Sequence, residues 1–235
     1  MRECQQRVSV ASSVLHQRFI VPEMLDHAPP DVARASLRDL ARINRYLGGY
    51  YVLGQLFDGV VKREDSFSVL DIGAASGDMG AAILRRYPRA QVTSLDYKGG
   101  HLAQAPDPKV IADAFRLPFR PASFDFVFSS LFLHHFANDQ VVDLFRSFRG
   151  LARRAVLAID LDRGPLAYHF LPNTRWLFGW HDITITDGQI SVAAALKKDE
   201  LLALAVRAGL SSARVRVHRP WSRLSLVAPM PGTGC

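Results

Sequence analysis

The stretch Val69-Leu70-Asp71-Ile72-Gly73-Ala74-Ala75-Ser76-Gly77-Asp78 sets a carboxylate near the end of an apolar run and glycines on the turn that follows. Glycine there lets the chain turn sharply and lets a ligand approach the backbone without a Cβ in the way. The spacing is not that of a dinucleotide loop, because counting from Gly73 the next two glycine positions of G-x-G-x-x-G hold Ala75 and Asp78. No Gly-Lys-Ser/Thr follows, so the loop is not a phosphate cradle either. Asp71 points the same way: its charge repels an anion and suits a cationic amino group. Four histidines, His134, His135, His169 and His181, supply side chains that exchange protons near neutral pH. The two cysteines, Cys4 and Cys235, neither build a disulfide framework nor complete a zinc site, and no metal site is expected.

These residues need a scaffold, and from Ser68 onward the chain alternates strand, turn and helix. Short apolar runs at Ser68–Ile72, Gln91–Leu95, Val110–Ile111, Phe124–Ser129 and Ala155–Ile159 read as buried parallel strands. Helices are expected over Asp78–Tyr87, Asp139–Leu151 and Lys198–Gly209, and two closing strands over Ala213–His218 and Arg223–Ala228. The pattern predicts an α/β fold: a Rossmann-like, doubly wound seven-stranded sheet with an antiparallel final strand. In such sheets ligands bind outside the carboxyl ends of the strands, where Asp71 and its glycines fall. Ahead of it, Leu37, Leu40, Ala41, Ile43 and Leu47 recur at helical spacing up to a break at Gly48–Gly49, which adds an N-terminal helical cap. Leu161–Gln189, rich in Pro, Gly and Trp, reads as irregular. The expected division is a cap and substrate lid over 1–62 and a ligand-binding domain over 63–235, with 161–190 as a substrate-side insertion.

The 235 residues are 49% hydrophobic and 22% charged, which excludes a disordered chain. No apolar run is long enough to span a bilayer. The opening MRECQQRVSV has no apolar signal core, so a cytoplasmic protein is expected. The 29 basic against 22 acidic side chains leave a net +7. The arginines are scattered, so the charge reads as a solvated surface and not as a nucleic-acid footprint.

The D-x-G-x-x-x-G pattern resembles motif I of the class I S-adenosylmethionine-dependent methyltransferases. Further segments fit in order. Asp96 closes the second strand about where that family binds the ribose hydroxyls. Asp113-Ala114-Phe115-Arg116-Leu117-Pro118-Phe119 resembles the family's D-A-x-x-L-P-F segment, whose aspartate binds the adenine amino group. Leu133-His134-His135-Phe136 is similar to the L-H-H-F that follows the fourth strand in small-molecule members, including those of quinone biosynthesis. The resemblance implies S-adenosyl-L-methionine as cofactor and S-adenosyl-L-homocysteine as product. It implies a cofactor site built from Asp71, Gly73, Ala75 and Gly77, from Asp96 and Tyr97, and from Asp113, Ala114 and Ser129. Ala75 departs from the glycine that many members carry and narrows the approach to the backbone.

Methyl transfer from a sulfonium mainly needs alignment. A phenol, with a pKa near 10, also needs a base at neutral pH. His135, then His134, are the candidate catalytic residues, with Asp160 as a second choice of base or anchor. Aromatic and apolar groups on the cap and the insertion, among them Tyr46, Tyr50, Tyr51, Phe57, Leu166 and Phe170, suit an apolar or aromatic small-molecule acceptor. Trp176, Trp180 and Trp221 read first as packing residues; if any lines the pocket, Trp176 and Trp180 are the ones favoured by their place after the fifth strand. The expected reaction is O-methylation of a phenol or similar acceptor by a monomer or homodimer. The alternatives are a non-catalytic cofactor-binding relative, or an RNA/nucleic-acid methyltransferase.

Overall fold

The computed structural model describes residues 15–232, so Cys4 and Cys235 lie outside the described residues. Seven strands form one sheet: β1 (Phe67–Ile72), β2 (Ala90–Asp96), β3 (Lys109–Ile111), β4 (Phe124–Ser130), β5 (Ala152–Leu161), β6 (Arg214–His218) and β7 (Arg223–Pro229). Their order is β3-β2-β1-β4-β5-β7-β6. β1 pairs in parallel with both β2 and β4, so the winding reverses beside β1 and opens a crevice at the strand ends there. β7 runs antiparallel to both its neighbours, as expected of the final strand.

The central strands are mainly apolar because both faces are covered, with Asp71, Ser129, Ser130 and Asp160 confined to their carboxyl ends. On one face α4 (Asn138–Leu151) and α7 (Lys198–Arg207) pack Phe145, Phe148 and Leu204 against Val127 and Leu226. On the other, α2 (Gly49–Asp58) and α3 (Asp78–Arg86) close over an aromatic cluster. Phe57 stacks on Phe67 and meets Phe126 and Phe128 edge-on. Thus α2, expected to belong to the cap, is a core layer, and Phe57 is not a lid residue.

The cap proper is α1 (Pro30–Tyr46) with the chain before it, which includes a 3-10 turn at Met24–His27. Residues 161–190 are not irregular. They form α5 (Pro165–Phe178) and most of α6 (Asp182–Ala194). The helical period is hidden there because Pro172 sits inside α5, α5 fully buries none of its residues, and α6 shows no apolar stripe. Tertiary bonds hold the pair instead. Asp39 of α1 accepts from the His181 amide (2.8 Å) and from the Thr184 hydroxyl (3.0 Å).

Candidate active site

The turn after β1 is built before any ligand arrives. The Gly73 and Ala74 amides both donate to the Leu95 carbonyl at 2.9 Å, tying the turn to β2. Gly73 has φ +72°, and a Cβ on it would collide with the Phe132 ring. Gly77 has φ +70°, and its Cβ would strike Ala105. Asp96 accepts from the Ala75 amide through one carboxylate oxygen and from the Lys98 amide through the other, both at 2.9 Å. Each oxygen keeps further lone-pair capacity for a ligand hydroxyl.

Asp71 is 1% exposed, and its Oδ2 has no hydrogen-bond partner. Burial, then the charges of Asp78 and Asp96, push its carboxyl up to about 8 against one amide from Gly80. A buried carboxylate surrounded by carboxylates is a vacancy for a cation.

A cavity of about 1100 Å³ opens over these strand ends. Asp71, Gly73, Ala75, Asp96, Tyr97, Asp113 and Ala114 all line it, on the β1-β2-β3 side. Two expected cofactor residues do not. Gly77 is turned against Ala105 and shapes the loop from behind. Ser129 is buried in β4, and Ser130 lines the cavity in its place, because successive strand side chains face opposite sides. Asp113 also accepts from the Phe115 amide (2.9 Å), which fixes the turn that carries it.

The histidine pair separates into two roles. His134 is buried, and its Nδ1 lies 2.6 Å from Asp160 Oδ1 while its Nε2 lies 3.6 Å from Glu23 Oε1. Burial opposes charge on the ring, but Asp160 and Glu23 outweigh it and raise His134 to about 10. Asp160 also accepts from the amides of Leu133, His134 and Leu161; burial pushes its carboxyl up, but the His134 charge and hydrogen bond, with the Leu161 amide, outweigh this and lower it. It is an orienting group sealed in the protein, not a base. His135 is half-buried, lines the cavity and turns Nδ1 toward Glu23 Oε1 at 3.8 Å. Glu23 is half-buried, and although its partial burial opposes charge, His134, His135 and Ser191 bring it down to about 2.

Glu23, His134 and His135 offer ligand atoms within 4.8 Å of one another, a grouping that sequence spacing did not show. A metal would need His134 neutral, whereas two carboxylates hold it as the imidazolium, so the cluster reads as an ion-pair network. Glu23 was invisible in the sequence because it lies in a segment with no period. Arg18 from the same segment donates to the carbonyls of His134 (3.2 Å) and Phe136 (3.0 Å), clamping the histidine loop.

The rest of the wall is apolar. Ile20, Val21 and Leu25 come from the lead-in, Leu40, Ile43 and Leu47 from α1, and Leu166, Phe170 and Leu171 from α5. Tyr46 and Tyr51 face solvent instead. Trp176 is 84% exposed, and Trp180 stacks on Phe178 under Arg42, so neither lines the cavity; Trp221 does. His169 is not in the wall, and His181 caps α6. Of four non-glycine residues with positive φ, three (Ala75, Leu131 and Ser222) line the cavity, where backbone strain is typically stored.

Residues 70–164 match the family described as "Methyltransferase domain". Over those residues the chain is similar to class I S-adenosylmethionine-dependent methyltransferase domains. The domain is 32% identical over 105 residues to malonyl-[acyl-carrier protein] O-methyltransferase of Xylella fastidiosa, covering 41% of this chain. The chain spans about a third of the length of that curated relative (35%). The methyltransferase fold extends across almost the whole chain. The plantazolicin methyltransferase BpumL, solved with SAH, superposes with a TM-score of 0.65 at 12% identity, over 97% of this chain and 98% of its own. Human N-acetylserotonin methyltransferase, solved with SAM, gives 0.60 at 16% identity, over 82% of this chain and 54% of its own. The cavity of this methyltransferase domain fits S-adenosylmethionine: an orphaned buried carboxylate stands ready for a cation, and two further aspartates with free lone pairs stand beyond it.

Proposed function

We propose that the protein transfers a methyl group from S-adenosylmethionine to a phenolic oxygen of an apolar small molecule. One observation carries the reading: a single cavity is acidic on the β1-β2-β3 side and apolar on the side of α1 and α5, with His135 in the same wall. When bound, the cofactor supplies an electrophilic methyl on a sulfonium whose departure leaves a neutral thioether.

The chain's own residues do the rest. Asp71 holds the cofactor's ammonium group, Asp96 its ribose hydroxyls and Asp113 its adenine amino group. Leu40, Ile43, Leu166 and Phe170 take the aromatic body of the acceptor and exclude water. His135 accepts the acceptor's hydroxyl proton at Nε2, and Glu23 beside Nδ1 stabilises the imidazolium that results. His134, locked between Asp160 and Glu23, fixes the loop and keeps Glu23 ionised. Residues 15–46, with α5 and α6, act as the substrate lid. The same reading places the protein in the cytoplasm as a monomer or homodimer; no described helix is long and apolar enough to cross a membrane.

Calorimetry with S-adenosylhomocysteine and turnover of labelled cofactor on a panel of phenols test this. His135→Gln is expected to lower kcat by roughly 10²–10⁴-fold while the affinity for S-adenosylhomocysteine stays within about twofold. Absence of S-adenosylhomocysteine binding by the wild type would sink the reading outright.

A further inference from the structure

Arg223, the first residue of β7, is 1% exposed and lines the cavity. One of its terminal nitrogens donates to Asn44 Oδ1 at 3.0 Å. Its Nε and other terminal nitrogen, NH1, have no acceptor among the described residues. A second buried arginine in the same chain shows what a purely structural one looks like. Arg163, 2% exposed, sends Nε to the Leu15 carbonyl, NH1 to the Ala195 carbonyl and Glu200, and its remaining nitrogen to Glu200. Every nitrogen of Arg163 has an acceptor; Arg223 is buried and cationic with an acceptor on one nitrogen of three. Burying a guanidinium without acceptors is unfavourable, so the site is complete only when something else supplies them.

We propose that Arg223 is a carboxylate receptor in the cavity wall. A guanidinium presents planar forked donors that match the two oxygens of a carboxylate. The charges nearby favour a monoanion over a phosphate dianion: Asp160 and Asp78 both act on Arg223. Asn44 also ties the guanidinium to the glycine turn, because its amide donates to Asp78 Oδ2 at 3.0 Å. The guanidinium can swing out to solvent only by giving up its bond to this anchored Asn44.

The inference rests on the methyltransferase reading above, which gives two carboxylates access to Arg223. One is the α-carboxylate of the cofactor's methionine part. The other is a carboxylate carried by the acceptor, which the position of β7, beyond β4 and β5 from β1, brings within reach. Their chemistry is the same, and binding measurements on the full chain separate them.

Wild-type, Arg223→Met and Arg223→Lys proteins are titrated calorimetrically with two pairs of probes. The first pair is S-adenosylhomocysteine and 5′-methylthioadenosine, the same nucleoside without the amino acid. The second, added to protein saturated with S-adenosylhomocysteine, is 3-(4-hydroxyphenyl)propanoate and its methyl ester. If the cofactor is the source, Arg223→Met loses at least about tenfold in S-adenosylhomocysteine affinity and nothing for methylthioadenosine. If the acceptor is the source, the wild type prefers the acid to its ester by at least about tenfold and Arg223→Met abolishes that preference. Arg223→Lys keeps the charge without the fork, and is expected to lose several-fold in whichever arm responds. Unchanged selectivity in both pairs, in a variant that melts like the wild type, overturns the proposal. Should both variants fail to fold, a wild type that shows neither preference overturns it equally. Failure to bind methylthioadenosine or S-adenosylhomocysteine at all strikes the methyltransferase reading and not this one alone.

Discussion

Asp71 carries a conflict between folding and binding that can be measured. Its folded-state pKa of about 8 lies above the ordinary 3.8, so at neutral pH the folded chain holds a proton that the unfolded chain has released. Its contribution to stability is therefore fully present below pH 3.8 and is lost as pH rises through about 8. Asp71→Asn removes that slope. Urea denaturation is expected to show the variant gaining on the wild type by no more than about 1.4 kcal/mol per pH unit between those limits. The same variant binds S-adenosylhomocysteine more weakly, because the vacancy for its ammonium is gone. The Asp160–His134 pair carries the opposite sign. His134 is raised to about 10, so its contribution is complete below pH 6.5 and disappears as pH rises through 10. Breaking a buried pair leaves one charge uncompensated, and Asp160→Asn is expected to cost about 3–5 kcal/mol at pH 6 and clearly less above pH 10. The sequence made Asp71 visible through its glycines. It did not show which histidine is buried, since that depends on a carboxylate 26 residues away in β5.

Among the elements, the central strands were legible as short apolar runs buried on both faces, and the core helices through one apolar stripe each. The exceptions are instructive. α5 and α6 carry no clean stripe, since they wrap an apolar cavity from outside and bind the body through polar groups. Asp39 is the main such group: buried on α1, it receives the His181 amide and the Thr184 hydroxyl and pairs with Arg42 at 2.8 Å. Asp39→Ala leaves these donors unsatisfied, which costs about 1–3 kcal/mol by denaturant titration. It should loosen the lid before the sheet. Hydrogen exchange is expected to accelerate over α5 and α6 while β1, β4 and β5 stay protected; uniform acceleration would refute a separable lid.

At the scale of the whole molecule, a sheet read from alternating elements and a cavity read from three aspartates fall into one place. The acceptor half was the part the sequence could not assemble, because its wall draws single residues from Ile20 to Arg223. The three tryptophans report on that wall separately: Trp176 is exposed, Trp180 buried, and Trp221 sits in the cavity. In Trp176→Phe protein, filling the cavity with S-adenosylhomocysteine and a phenol is expected to reduce acrylamide quenching, with Trp221 as the responder. No change would mean that the cavity fills without reaching β7.

The tight fit of Phe132 against Gly73 has a consequence for how this chain can vary. The two segments are interlocked: a side chain at 73 would need a smaller ring at 132 and would still be strained at φ +72°. Transplanting a relative's first-strand loop therefore requires carrying its 130–136 counterpart along, and either exchange made alone should fail where the double exchange succeeds.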